Sequence, residues 1–306
     1  MFFDKIINAI KYRLNIYFLR NIRRLYNTIY YKLRNSEDFI IVNCSFKQWG
    51  DYVVPFNIGD DINAVLLHYL SGKKILNYDE FFHKPMVNLM GIGSILDWKS
   101  TNDSIVWGSG IMDCEVVIPN QCKPMEVVAV RGVLTKLVLE KNGILCPDVF
   151  GDPALLLPNV YQPFVEKSEI IGIIPHYVDL DDPNLHKLLK NNRNVELINI
   201  QHYKNWKDVI DQICSCKYIV SSSLHGLILS DAYKVPNVWV KFSDKIVGND
   251  FKYYDYFSAV GRNDICLDMR NIISISELDK VVRMYEKINF DDDLLLSSFP
   301  LNLVKR

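Results

Sequence analysis

Tyr218-Ile219-Val220-Ser221-Ser222-Ser223-Leu224-His225-Gly226-Leu227-Ile228-Leu229-Ser230-Asp231-Ala232-Tyr233, continuing through Lys234-Val235-Pro236-Asn237 to Val238-Trp239-Val240, is the stretch whose reading decides the fold. It reads as strand, turn, helix, strand. An apolar run ends in three serines, and a hydroxyl just ahead of the helical spacing Leu224, Leu227, Ile228, Ala232 is N-cap chemistry. His225 then lies in the first helical turn, beside free backbone N–H groups and the positive end of the helix dipole. A phosphate or carboxylate finds a ready site there, next to an imidazole suited to proton transfer.

Outward from this unit, strands and helices keep alternating. Toward the N-terminus come the strand Ile170-Ile171-Gly172-Ile173-Ile174 with Pro175-His176 at its exit, a helix carrying Leu185, Leu188 and Leu189, the strand Val195 to Ile200, and a helix with Val209, Ile210 and Ile213. Lys241, Lys245, Lys252 and Asp255 follow the strand ending at Val240, and Ile275, Leu278, Val281, Val282, Tyr285 and Ile288 suggest a closing helix. His176 and His225 leave strands of one layer, so the two can face one crevice.

The first half repeats the logic. The buried strand candidate Phe39 to Cys44 precedes the polar loop Asn57-Ile58-Gly59-Asp60-Asp61 and a helix over Ile62, Val65, Leu66, Tyr69 and Leu70. Asn57, Gly59, Asp60 and Asp61 are site candidates because ligands bind at the carboxyl ends of such strands; the two acids can equally serve only as caps. The pairs Gly91-Ile92-Gly93 and Gly108-Ser109-Gly110 each resemble half of a phosphate-binding turn, and neither completes the dinucleotide fingerprint. Arg131 ends the strand Val127 to Val130, where it can capture a carboxylate or phosphate or pair with a nearby Asp. The expected organisation is a basic N-terminal segment 1–38, a first Rossmann-like domain 39–160, a second 168–290, and a tail 291–306.

With 306 residues, 49% of them hydrophobic, and a net charge of -1, the chain has no general nucleic-acid signature. Its seven scattered cysteines fit a reducing cytosol rather than a disulfide frame. Cys214-Ser215-Cys216 is too closely spaced for a metal knuckle, so neither metal nor cofactor is implied. Charge is uneven, however. Residues 1–35 hold eight basic side chains against Asp4 alone, and Phe3, Ile7, Ile10, Leu14, Phe18, Ile22, Leu25, Ile29 and Leu33 recur at helical spacing. This amphipathic basic segment suits the interface of an anionic membrane, or else docks on the protein's own core. Nothing approaches the ~18 continuous apolar residues of a spanning helix.

Taken together, these motifs resemble the polysaccharide pyruvyltransferases, in particular the succinoglycan pyruvyltransferase-like branch. The matching pieces run in order from Phe56 to Gly261: Asn57 to Asp61, Gly91-Ile92-Gly93, Gly108-Ser109-Gly110, Val130-Arg131-Gly132, Gly151-Asp152-Pro153-Ala154, Ile174-Pro175-His176, the serine turn with His225-Gly226, and Lys241-Phe242-Ser243-Asp244-Lys245-Ile246 running on to Phe251-Lys252-Tyr253-Tyr254-Asp255-Tyr256. The resemblance implies two Rossmann-like domains facing a central cleft, the GT-B arrangement. It also implies transfer of the pyruvyl group of phosphoenolpyruvate onto two hydroxyls of one sugar as a cyclic ketal, in bacterial exopolysaccharide or capsule synthesis. On that reading His225 donates and later accepts a proton. Arg131, His176, Ser223, Leu224, Gly226, Lys241 and Lys252 hold the donor, while Asn57, Gly59, Asp60, Asp61, Gly108 and Gly110 face the acceptor. Ser223 stands where other branches carry an Arg, which shifts weight onto Arg131 and the lysines. The acceptor is a sugar or lipid-linked oligosaccharide, with the enzyme cytoplasmic and peripheral at the inner face of the membrane. Competing readings are a GT-B glycosyltransferase using a nucleotide sugar and a non-catalytic, membrane-associated glycan-binding protein.

Overall fold

Two five-stranded parallel sheets organise the computed structural model, which describes residues 18–29, 38–49, 52–82, 86–270, 275–282 and 287–302. The first half contains helix α1 (18–29), β1 (Phe39–Val42), the hairpin β2 (Lys47–Trp49) with β3 (Tyr52–Val54), α2 (Ile58–Ser71), β4 (Lys74–Asn77), β5 (Asn88–Met90), α3 (Leu96–Lys99), β6 (Ser104–Trp107), β7 (Glu126–Ala129) and α4 (Val133–Lys141). A 3₁₀ segment, Pro153–Asn159, leads across to the second half. There follow β8 (Ile171–Ile174), α5 (Pro183–Asn191), β9 (Val195–Leu197), α6 (Trp206–Ser215), β10 (Tyr218–Ser221), α7 (Leu224–Ala232), β11 (Asn237–Lys241), α8 (Phe251–Val260), β12 (Leu267–Asp268), α9 (Ile275–Val282) and α10 (Asp292–Ser297).

The sheets run β4-β1-β5-β6-β7 and β12-β11-β10-β8-β9, so each half has its first strand between its second and third, counting the parallel strands alone. That order creates a switch point where connections leave in opposite directions, between β1 and β5 and between β8 and β10, and crevices open there at the strands' carboxyl ends. The chain is therefore an α/β protein with two Rossmann-like halves.

Period-two alternation sorts the strand side chains into layers. Ile40 and Val42 point into the main core, whereas Phe39 and Ile41 join a small cluster with Leu76, Tyr78 and Phe81. In the second sheet Ile219 faces the main core while Tyr218 and Val220 pack toward α5 and α9. The main core is continuous across both halves, from Ile40, Leu89 and Ile105 to Ile174, Leu227, Ile228 and Trp239. Each fully buried Leu or Ile there contributes about 1.5–3 kcal/mol relative to exposure. The terminal residues also return to the first half, where Trp107 Nε1 donates to Leu295 O and Ser298 Oγ, both at 3.1 Å.

One local expectation changes, and one alternative is decided for the described part of the N-terminal segment. Residues 58–61 are the first turn of α2, with Asn57 as its N-cap, rather than a loop. The apolar residues of α1 do not pack inward. Phe18, Ile22, Leu25 and Ile29 are 64%, 50%, 53% and 54% exposed. The helix docks instead by polar groups: Arg23 Nε donates to Glu80 Oε2 at 2.9 Å, Arg24 Nε to Asp79 O at 2.8 Å, and Phe82 N to Thr28 Oγ1 at 3.0 Å. The rest of the amphipathic pattern, residues 1–17 and 30–35, lies outside the described residues.

Candidate functional site

A cavity of about 280 Å³ opens where the carboxyl ends of the two sheets meet. From the first half it is lined by Ser45 after β1, Asn57 and Asp60 at the start of α2, and Gly93 and Ser94 after β5; from the second by His176 after β8, Ser223, Leu224 and His225 at the start of α7, and Lys252 on α8. Larger hollows, about 730 and 820 Å³, lie along helix flanks and strand starts, away from the switch points where ligands of such folds bind.

The turn carrying His225 is held from behind. Ser221 Oγ donates to Ile174 O at 2.8 Å and accepts from Ser223 N at 3.0 Å. Ser222 Oγ accepts from His176 N at 2.9 Å and donates to the buried Asp179 Oδ2 at 2.7 Å, while Tyr253 Oη donates to Ser222 O at 2.6 Å. Ser223 is the N-cap by backbone conformation, yet its side chain makes no capping bond and lines the cavity. Three adjacent serines thus divide the work: two lock the turn, and the third faces the ligand space with the N–H groups of the first turn. Gly226 packs so closely under the turn that a Cβ would lie 2.3 Å from Ser221 Oγ.

Opposite α7 stands the start of α2. A Cβ on Gly59 would lie 2.0 Å from His225 Nδ1, so the imidazole sits against bare backbone of the other half. The two acids that follow part company. Asp60 faces the cavity and accepts from Asn57 Nδ2 at 2.8 Å. Asp61 turns into the seam, taking the N–H groups of Phe56 and Asn57 at 2.7 and 3.0 Å and the hydroxyl of Tyr203 at 2.6 Å. With Ile58 N donating to Ile200 O at 3.0 Å, these bonds fasten the halves beside the cavity.

The electrostatics are lopsided. Burial, then Lys252, then Arg131 push the His225 imidazole down to about 3. Burial, Lys252 and His225 do the same to His176, and Lys252 Nζ lies 3.5 Å from its Nε2. Burial and Arg131 lower Lys252 to about 8. Asp60 moves the opposite way, up to about 7, because burial and Asp61 outweigh the Asn57 hydrogen bond and the charge of Lys99. Burial and the mutual repulsion of these basic groups outweigh the attraction of Asp250 and Asp179 for Lys252, and an entering polyanion relieves that repulsion.

Several expected residues stand elsewhere. Arg131 is 1% exposed and does not line the cavity: Nε donates to Asp255 Oδ2 at 2.8 Å, Nη2 to Ile111 O at 2.8 Å, and Nη1 to Ser94 Oγ. Each of its three guanidinium nitrogens is engaged, one of them with Ser94, which does line the cavity. Lys241 is the last residue of β11 and lies 3.5 Å from Asp244 Oδ1, outside the pocket. Gly110 leaves room for Arg131, and Gly108, at φ +93°, for Pro153; neither reaches the cavity. The structure adds residues that sequence reasoning missed: Gln201 at the seam, and the side chains of Trp98 and Tyr177, 57% and 58% exposed, one from each half. An aromatic just beyond Gly93-Ser94 and another just beyond His176 were readable signals of a rim. Among the described residues no cluster of three or more His, Cys, Asp or Glu side chains is placed to hold a metal.

The profile of the family described as polysaccharide pyruvyl transferase matches residues 3–244. The chain is similar to uncharacterized protein L143 of Acanthamoeba polyphaga mimivirus, 29% identical over 249 residues, covering 74% of this chain and 80% of that protein. It is also similar to the succinoglycan biosynthesis protein ExoV of Rhizobium meliloti (strain 1021), 29% identical over 219 residues, covering 67% of this chain and 62% of that protein.

Proposed function

The chain belongs to the polysaccharide pyruvyl transferase family, and from that premise we propose that it moves the pyruvyl group of phosphoenolpyruvate onto two hydroxyls of one sugar, forming a cyclic ketal in exopolysaccharide or capsule synthesis. The observation that carries the reading is the concentration of His176, His225 and Lys252 in one pocket with the first turn of α7, each basic group driven toward its neutral form. A donor bearing both phosphate and carboxylate restores their charge and gains their hydrogen bonds. His176, Lys252, Ser223 and the N–H groups of Leu224 to Gly226 hold that donor, His225 handles protons, and Asn57 and Asp60 face the acceptor from the other half.

The exposed apolar face of α1 supports a lipid-linked acceptor met at an anionic membrane surface. Arg23 and Arg24 bind the protein itself, so apolar burial contributes more to such attachment, and charge less, than the composition suggests. Among the described residues no helix is long and apolar enough to cross a membrane.

The test is product identity. The full-length chain is incubated with lipid-linked oligosaccharide and either phosphoenolpyruvate or a nucleotide sugar, and released phosphate is compared with released nucleoside diphosphate. Phosphate release that requires acceptor and is abolished in His225→Ala is expected. Nucleoside diphosphate instead makes the protein a glycosyltransferase, and neither product makes it a binding protein.

A further inference from the structure

Resting on the pyruvyl-transfer reading, the proton inventory of the cleft goes one step further. Ketal formation from an enol phosphate and a diol removes two hydroxyl protons, adds one to the enol carbon and leaves one on the departing phosphate. His225 begins without a proton to give, since burial, Lys252 and Arg131 hold its imidazole neutral. Another group must supply the first one.

Asp60 is the carboxyl that lines the same cavity, in the first turn of α2, one residue beyond the Gly59 backbone against which the imidazole packs. An acid at a helix start ordinarily loses its proton easily; here burial and the neighbouring Asp61 reverse that, and the carboxyl titrates at about 7. The other charged or titratable groups around it are the Cys44 thiol after β1, Lys99 on α3 and, across the cleft, His176, His225 and Lys252. A bound trianionic donor raises Asp60 and His225 together, making one a surer proton carrier and the other a stronger base. Two groups whose surroundings drive them apart divide the acid and base roles.

We propose that Asp60 is the acid that protonates the enol carbon and then the base that receives the second hydroxyl proton, alternating with His225. In the first half, His225 takes the proton of one sugar hydroxyl as its oxygen bonds to C2 of the donor, and the C2=C3 electron pair takes the proton of the Asp60 carboxyl. C2 then carries a methyl, the carboxylate, the phosphate and the new ether oxygen, with Asp60 ionised and His225 protonated. In the second half the C2–O bond to phosphate breaks, the oxygen leaves with the electron pair and accepts the His225 proton. The second hydroxyl closes the ring on C2 and gives its proton to Asp60. Both side chains return to their starting forms, and no proton need come from water.

The experiment uses full-length wild type, Asp60→Asn and Asp60→Glu. Phosphoenolpyruvate binding is followed by calorimetry, folding by thermal melting, and phosphate release at saturating donor across pH with the acceptor identified above. Asp60→Asn is expected to keep donor affinity within about tenfold while phosphate release falls about 10²–10⁴-fold. In wild type kcat falls as pH rises and the carboxyl loses its proton; Asp60→Glu keeps that limb at a shifted pH, and the residual rate of Asp60→Asn lacks it. Phosphate release by Asp60→Asn within about tenfold of wild type, or loss of donor affinity in step with turnover, overturns the proposal. Should Asp60→Asn fail to fold, a folded but inactive Asp60→Glu overturns it as well. A wild type that binds donor but releases no phosphate with any acceptor fails at the pyruvyl-transfer reading itself, a result distinct from an inert variant beside an active parent.

Discussion

Replacing Arg131 by alanine should cost the protein its stability before it costs the site its donor. Its guanidinium ties three things together: Asp255 on α8, the Ile111 carbonyl and the Ser94 hydroxyl at the cavity wall. Asp255 also accepts from Thr135 N and Thr135 Oγ1, both at 2.7 Å, at the start of α4. Arg131→Ala leaves that fully buried carboxylate with two neutral donors and no cation, a loss of about 3–5 kcal/mol. With a urea dependence of about 1–3 kcal/mol per molar, toward the upper end for a chain this long, the midpoint should fall by roughly 1–2 M. Arg131→Lys should recover little, because a single ammonium cannot reach the three directions the planar fork serves. Arg131→Met with Asp255→Asn should recover more than half of the loss, since both charges go while the Thr135 donors keep an acceptor. Equilibrium urea curves for the four proteins, with donor affinity from calorimetry, decide it. An unchanged Arg131→Ala midpoint accompanied by lost phosphoenolpyruvate binding would refute the structural assignment and make Arg131 a donor ligand.

Gly59→Ala should keep the helix, where alanine is favoured by about 1 kcal/mol, yet lower turnover about 10²-fold by displacing the imidazole that its Cβ would meet; near-normal kinetics would mean the two halves yield there. Lys252, lowered to about 8, holds an anion only while protonated, so donor affinity should fall as pH rises through 8 and Lys252→Met should flatten that slope in calorimetry. The sign is opposite for folding: without donor, this group adds stability as pH rises from about 8 toward its ordinary 10.5, because the unfolded chain then binds the extra proton. Trp98→Ala and Tyr177→Ala should each raise acceptor KM about two- to tenfold with donor affinity unchanged, the share expected of one exposed stacking ring.

What could be read from residues alone depended on how local each signal is. Tyr218 to Ala232 declared strand, turn and helix because apolar spacing and a hydroxyl at the turn lie within fifteen residues, and His225 came with them. Asp60 and Asp61 look alike in the chain; only the helical rotation between them sends one to the cavity and the other to Tyr203, 142 residues away. Arg131 resembles an anion ligand because its partner Asp255 lies 124 residues later, on a helix no pattern brings near. Trp98 and Tyr177 follow glycine and histidine turns that mark a rim in the sequence, whereas Gln201 acquires meaning only where loops of two sheets converge.

The apolar core that passes unbroken from one sheet to the other has a consequence for how the protein breathes. A cleft between separately cored domains opens on a hinge, and each side then exchanges its amide hydrogens on its own schedule. Here neither sheet can expose its inner layer without uncovering the other, so the strand amides of β4, at the outer edge of the first sheet, and of β11 in the second should exchange through the same global opening. Donor bound at the helix starts of α2 and α7 should slow exchange in both by one common factor, 1 + [L]/Kd, although it touches neither strand.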